Sequence, residues 1–160
     1  MKSLVVYYSL EGNTKFIAEV LAKEIHAELA ELKPKKEIPS SGFKKYVWGG
    51  KSVLFKQKPI LINETIDLKQ YDHIFLGTPV WAGTYAAPFN TFLANNEICD
   101  KHIALFACHA GGGAEKCFVN FKKALPNNHF IGEIDFLDPL QNNTAENTSK
   151  VKAWVNKLNF

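Results

Sequence analysis

Arginine is missing from this chain: all 19 cationic side chains among its 160 residues are lysines. A planar guanidinium is the favoured tool for reading base edges and for gripping the 2′-phosphate of a nicotinamide nucleotide. Both activities lose support, and no nucleic-acid partner is expected. Cysteine is scarce as well, and Cys99, Cys108 and Cys117 form no Cys-x-x-Cys pair. Their odd number and their spacing speak against a disulfide framework and a zinc site. Free thiols in a reducing compartment are the expectation. Long apolar runs are absent too. The first, Leu4 to Tyr8, soon turns polar, without a signal-peptide layout, and nothing approaches the roughly 20 residues of a membrane span. A cytoplasmic protein with no membrane contact is expected. Acids run short in one place. Between Lys33 and Lys58 stand eight lysines (33, 35, 36, 44, 45, 51, 56 and 58) and the single acid Glu37. The other residues hold 11 lysines against 15 acids, a formal −4 within a chain of net charge +3. This segment is either a solvated face or a docking patch for an acidic partner.

What is present is a globular composition, 46% hydrophobic, and residues 1–160 read as one domain with room for a substantial core. Apolar runs alternate with helical patterns. Strands are expected over Lys2–Tyr8, Ala27–Lys33, His73–Gly77, His102–Ala107 and His129–Phe136. Helices are expected over Asn13–His26, Pro88–Ala94 and Ala114–Leu125. A last helix opens with Asn143 and Glu146 at capping-box spacing and carries Val151, Trp154, Val155 and Leu158 on one stripe. An interrupted helix is expected over Phe43–Lys56, with Trp48 in a structural role. This alternation implies right-handed crossovers and a parallel sheet covered on both faces.

Three strand ends carry distinct chemistry. The first, Ser9-Leu10-Glu11-Gly12-Asn13-Thr14, leads straight into a helix. It sets backbone N–H groups at the positive end of the helix dipole, a place that binds phosphate. Ser9, Asn13 and Thr14 offer donors or helix caps, and Gly12 permits a positive φ. No P-loop lysine follows, and no Gly-x-Gly-x-x-Gly fingerprint is present. The second, Pro79-Val80-Trp81-Ala82-Gly83-Thr84-Tyr85, is aromatic and uncharged; the third, Cys108-His109-Ala110-Gly111-Gly112-Gly113, is nearly pure backbone. In an open parallel sheet all three lie outside the carboxyl ends of the strands.

These three motifs, in this order, resemble those of the flavodoxin family. Ser9 to Thr14 resembles the FMN phosphate loop, with Glu11 where a Thr or Ser is usual. Gly77 to Gly83 resembles the loop over the flavin ring, and Cys108 to Gly113 the loop on its pyrimidine side. The resemblance implies a flavodoxin-like α/β fold: a doubly wound five-stranded parallel sheet in the order 2-1-3-4-5, helices on both faces, of which flavodoxin is itself the standard illustration. It implies one non-covalently bound FMN and a carrier passing electrons between redox partner proteins, acidic ones if the lysine run docks them. It also implies a backbone carbonyl near Ala82-Gly83 that meets flavin N5, and a monomer is favoured. An FMN-dependent NAD(P)H:quinone-type reductase and a flavin-free small-anion binding module remain alternatives.

Trp81 and Tyr85 are both read as loop aromatics. Trp81 is the ring platform, while Tyr85 either joins it or falls in the next helix and packs inward. Cys108 and His109 leave a strand on opposite sides, which places them poorly for mutual proton transfer. His109 instead offers its backbone or a titrating charge near the pyrimidine end. A docking role for the lysine run has a direct test. Reversing Lys44, Lys45 and Lys51 to Glu should slow electron transfer with the native partner at low ionic strength and leave FMN affinity unchanged. The deficit should shrink near physiological salt, where screening acts over about 8 Å. A wild-type rate at low salt would make the segment a solvated face.

Overall fold

The computed structural model describes residues 1–36 and 57–158. The interrupted helix expected over Phe43–Lys56 lies outside the described residues, as do Trp48, Lys44, Lys45, Lys51 and Lys56. β1 (Ser3–Tyr7) shows why the molecule has two cores. Successive side chains of a strand point to opposite faces, and here both sets are apolar. Leu4, Val6 and Tyr8 enter one cluster with Ile74, Leu76, Phe89, Phe92, Leu105 and Phe121. Val5 and Tyr7 enter another with Ile17, Leu21, Phe75, Phe106, Val151 and Trp154. A strand buried on both faces belongs inside a helix-covered parallel sheet.

β1 pairs in parallel with β2 (Glu28–Glu31) on one edge and β3 (His73–Trp81) on the other. A two-residue strand, β4 (Thr84–Tyr85), folds back antiparallel on β3. Beyond β3 lie β5 (His102–His109) and β6 (His129–Leu137), both parallel. The order β2-β1-β3-β5-β6 is the expected 2-1-3-4-5 once the hairpin strand is set aside. α1 (Asn13–Glu24) and α4 (Thr144–Val155) cover the face of the second cluster. α2 (Pro88–Asn95) and α3 (Glu115–Ala124) cover the other. Asn143 caps α4: its Oδ1 accepts from the Glu146 N–H at 3.1 Å, and its amide donates to the Glu146 carboxylate at 3.0 Å. This is the expected box, closed through a side-chain amide.

Two boundaries differ from expectation. β3 runs four residues past Gly77, because its pairing with β5 continues to Pro79–Cys108 and the β4 hairpin then takes over. Tyr8 donates to the Gly77 carbonyl, so Gly77 and, two residues on, Pro79 face the edge where β1 has ended. The missing proline N–H therefore costs no ladder bond. β2 is shorter than expected, since only Glu28–Glu31 pair with β1.

At the opposite end of the sheet His73, His102 and His129 stand in register on three adjacent strands. Their ring centroids are 5.1 and 5.6 Å apart. Burial first, and then the neighbouring His102, hold His73 below the ordinary histidine value of 6.5. A depressed histidine contributes stability above its unfolded value that is lost as pH falls below it, because the unfolded chain takes up the proton first. Stability should therefore decline on acidification below about pH 6.5, and His73→Phe should flatten that limb in urea titrations. Parallel pH profiles would assign the acid limb to other groups.

Candidate functional site

The carboxyl ends of β1, β3 and β5 open into one cavity of about 500 Å³. Its first wall is the turn from β1 into α1. Gly12 caps α1 at φ 92 and ψ −16 and, having no side chain, offers the first-turn N–H groups no side-chain acceptor of its own. Those groups are left for a ligand at the positive pole of the helix. The turn is held from within: Ser9 Oγ accepts the Gly12 N–H at 3.1 Å, and the Gly12 carbonyl accepts the Phe16 N–H at 2.9 Å. Glu11 is exposed on the rim. Asn13 does not cap its own helix. Its Oδ1 accepts the Leu140 N–H at 3.0 Å.

Thr14 lines the cavity beside Cys108 but is buried. Burial pushes the Cys108 thiol up to about 12, Asp138 and Asp135 add to the shift, and the Thr14 contact opposes it. Cys108 is therefore a neutral wall and not a nucleophile at physiological pH. His109 turns the other way: its Nε2 lies 2.7 Å from Asp135 Oδ2. The structure keeps the two side chains apart, as their adjacent strand positions require.

The second wall is the β3–β4 hairpin. Ala82 at φ 47 and Gly83 at φ 77 form its two-residue tip, the arrangement that matches the twist of paired strands. Thr78 fixes the hairpin to the sheet. Its hydroxyl accepts the Ala86 N–H at 2.9 Å and donates to the Pro79 carbonyl at 2.9 Å. Trp81 sits half-buried at the cavity, edge-on to Tyr8 with centroids 5.5 Å apart. It lies on a strand, not in the loop that the sequence suggested. Tyr85 goes elsewhere: it stacks on Phe121 at 4.4 Å and meets Phe89 edge-on. Cross-strand partners share a face, and Tyr85 pairs with Val80 whereas Trp81 pairs with Thr84. The two aromatics therefore stand on opposite faces of the hairpin.

The cavity gathers Ser9, Leu10, Glu11, Asn13, Thr14, Pro79, Val80, Trp81, Ala82, Cys108, His109 and Ala110. Gly12 shapes the first wall without lining it. Gly83, Thr84, Tyr85, Gly111, Gly112 and Gly113 stand outside the lining. Asp138 and Gln141, which the sequence motifs do not point to, complete it. They belong to a turn after β6 that is tied down by the Asp138 N–H on the His109 carbonyl at 3.0 Å. The signal for them in the sequence is Asp138-Pro139, a turn-initiating pair directly after a strand. Among the described residues no lysine lines the cavity, so an anion there meets backbone dipoles beside the carboxylates of Glu11 and Asp138.

The sequence model of the flavodoxin family matches residues 2–158. The chain belongs to the flavodoxin family. No curated protein matches it by sequence. Among solved structures, this family member is similar to a flavoprotein in complex with FMN from Lactobacillus acidophilus NCFM. The identity is 27%, 96% of this chain and 98% of that one are covered, and the TM-score is 0.75. The apo-form of the flavoprotein from the same source matches at 28% identity over 88% and 95% of the two chains, with a TM-score of 0.67. Oxidised flavodoxin 2 from Bacillus cereus, at 18% identity, 98% and 97% coverage and a TM-score of 0.61, shares the fold.

The hydroxyl of Thr78 is the hairpin's link to the sheet, and it is fully buried. Thr78→Val should strand the buried Ala86 N–H and cost about 1–3 kcal/mol, read from chemical denaturation. A loss well below that range would show that the hairpin does not depend on this bond.

Proposed function

We propose that this protein binds one FMN in the cavity and carries electrons between redox partner proteins. One observation carries the reading: a helix N-terminus capped by a glycine and a half-buried indole face the same 500 Å³ space at the point where the strand order reverses. The first is made for a compact phosphate and the second for a flat ring. Hydrogen bonds from backbone N–H groups, not lysine charge, hold the anion. Ser9 and Asn13 brace the turn on which those groups sit, and Trp81 excludes water from one side of the ring. The Ala82–Gly83 peptide is the backbone edge that would meet ring N5, where the family resemblance puts that contact. FMN supplies the redox chemistry when bound, and the protein sets its potentials through hydrogen bonds, burial and nearby charge. The likeness to an FMN complex at 27% identity over nearly the whole chain supports the choice of ligand.

Flavin absorbance in the purified protein, followed by stepwise reduction, tests the carrier role. A one-electron level that accumulates supports it. Direct two-electron turnover with NAD(P)H and a quinone would replace the carrier by a reductase. Two substitutions test the two halves of the site. A Cβ at residue 12 would lie 3.2 Å from Leu140 Cδ1, and a side chain at that φ costs about 1–3 kcal/mol. Gly12→Val should therefore weaken FMN far more than riboflavin in apoprotein titrations. Equal losses would remove the phosphate from this turn. Trp81→Ala should weaken FMN by about 1–3 kcal/mol, as loss of base–aromatic stacking does, and raise flavin emission. Unchanged affinity and emission would place the indole away from the ring.

A further inference from the structure

His109 carries two hydrogen bonds that together fix its protonation. Its Nδ1 accepts the Gly111 N–H at 3.1 Å, and its Nε2 lies 2.7 Å from Asp135 Oδ2. An imidazole nitrogen that accepts an N–H bears no proton, so the proton sits on Nε2 and is donated to the carboxylate. The Nδ1 bond closes a small ring around Ala110, and the wall of the cavity is built from His109 and Ala110. Gly111 and Gly112 have open space around them, and both are exposed. The ring bond to His109 is therefore the restraint on this turn that the geometry shows.

We propose that His109 is a positioning residue, a proton-operated latch that holds the His109–Ala110 wall in its ligand-ready shape while Nδ1 is unprotonated. Uptake of one proton at Nδ1 turns the acceptor into a donor and sets two N–H groups against each other. The Gly111 bond is lost, the Ala110 peptide is released, and the imidazolium stays paired with Asp135 through Nε2. The charged groups around the latch allow that state. Asp135 and Asp138 come from β6 and the turn after it, Glu11 from the rim of the first turn, and Glu115 from beside Gly113. Lys150 on α4 opposes them, with its ammonium 2.6 Å from the Asp135 carbonyl. The Cys108 thiol is neutral, and the segment from Pro79 to Ala82 brings no charge.

The latch itself is independent of the flavin reading; its effect on cofactor binding rests on that reading. Nitrogen-15 NMR of the apoprotein between pH 8 and pH 5 separates the two. The Gly111 amide resonance should move in one step with the same midpoint as the His109 ring nitrogens. His109→Asn keeps an acceptor, Oδ1, at the Nδ1 position but cannot titrate, so its Gly111 resonance should stay where the neutral wild type has it. Riboflavin, which has no titrating phosphate, is the ligand for the second arm. Its dissociation constant should rise roughly 2- to 10-fold from pH 8 to pH 5 in the wild type, the worth of one hydrogen bond, and stay level in His109→Asn. A Gly111 amide indifferent to the His109 titration overturns the latch. A Gly111 amide that follows it while riboflavin affinity stays level overturns the coupling to the cofactor site. Coupled Gly111 and His109 titrations in a protein that binds no flavin would uphold the latch and fail the flavin reading.

Discussion

β1 is hydrogen-bonded along both edges and buried on both faces, and the site exists because of it. The connection after β1 leads to β2 and the one after β3 leads the other way, to β5, so a crevice opens between the carboxyl ends of β1 and β3. Tyr7 and Tyr8, the last residues of the apolar run, are both buried, one in each core. Burial holds the Tyr7 hydroxyl well above the usual tyrosine range, with Glu31 adding to the effect. The chain that leaves this anchored end is short, so its turn and the first N–H groups of α1 are placed by the core and not by a ligand. Trp81 leans its edge on Tyr8, which ties the ring side of the cleft to the same strand.

The parts of the molecule set by repeating patterns are legible in the sequence itself. Strand and helix periodicity predicts the apolar stripes of α1, α3 and α4, and Asn143 with Glu146 marks where α4 starts. The order of the strands comes from the family resemblance, since hydrophobic period does not distinguish one parallel arrangement from another. The turn at Gly12 is legible because a strand, a glycine and an amphipathic helix meet there without a spacer. What cannot be read depends on which edge or face a residue meets. Pro79 looks like the end of a strand, yet its missing N–H points to an edge with no neighbour. Tyr85 looks like a partner of Trp81, but a two-residue hairpin puts them on different faces. Asp138 and Gln141 are hidden because they reach the site through the fold of a distant turn, Asn13 and Leu140 being 127 positions apart.

Charge in this protein is arranged to leave the cleft to the backbone. Among the described residues no lysine lines the cavity, while Glu11 and Asp138 stand at its edge. Neighbouring carboxylates penalise an extended polyanion more than a single phosphate fixed at a helix end, where the N–H groups are directional and the carboxylates are not. The neutral Cys108 thiol and the buried Thr14 make the floor of the cavity inert. Reactivity in such a site has to be brought by what binds there.

The bond between Asn13 and Leu140 also has a consequence for how the protein is made. One half of the cleft is translated 127 residues before its closing turn. At roughly 5–20 residues per second, the first half waits on the order of ten seconds for the second. During that interval β1 lacks β3 until residue 73 and beyond has emerged, and the site lacks the Asp138–Gln141 turn longer still. A cofactor that meets the ribosome-bound chain finds a helix end without an enclosure. Loading is therefore a late event, and ligand binding stabilises the finished fold without guiding its early assembly.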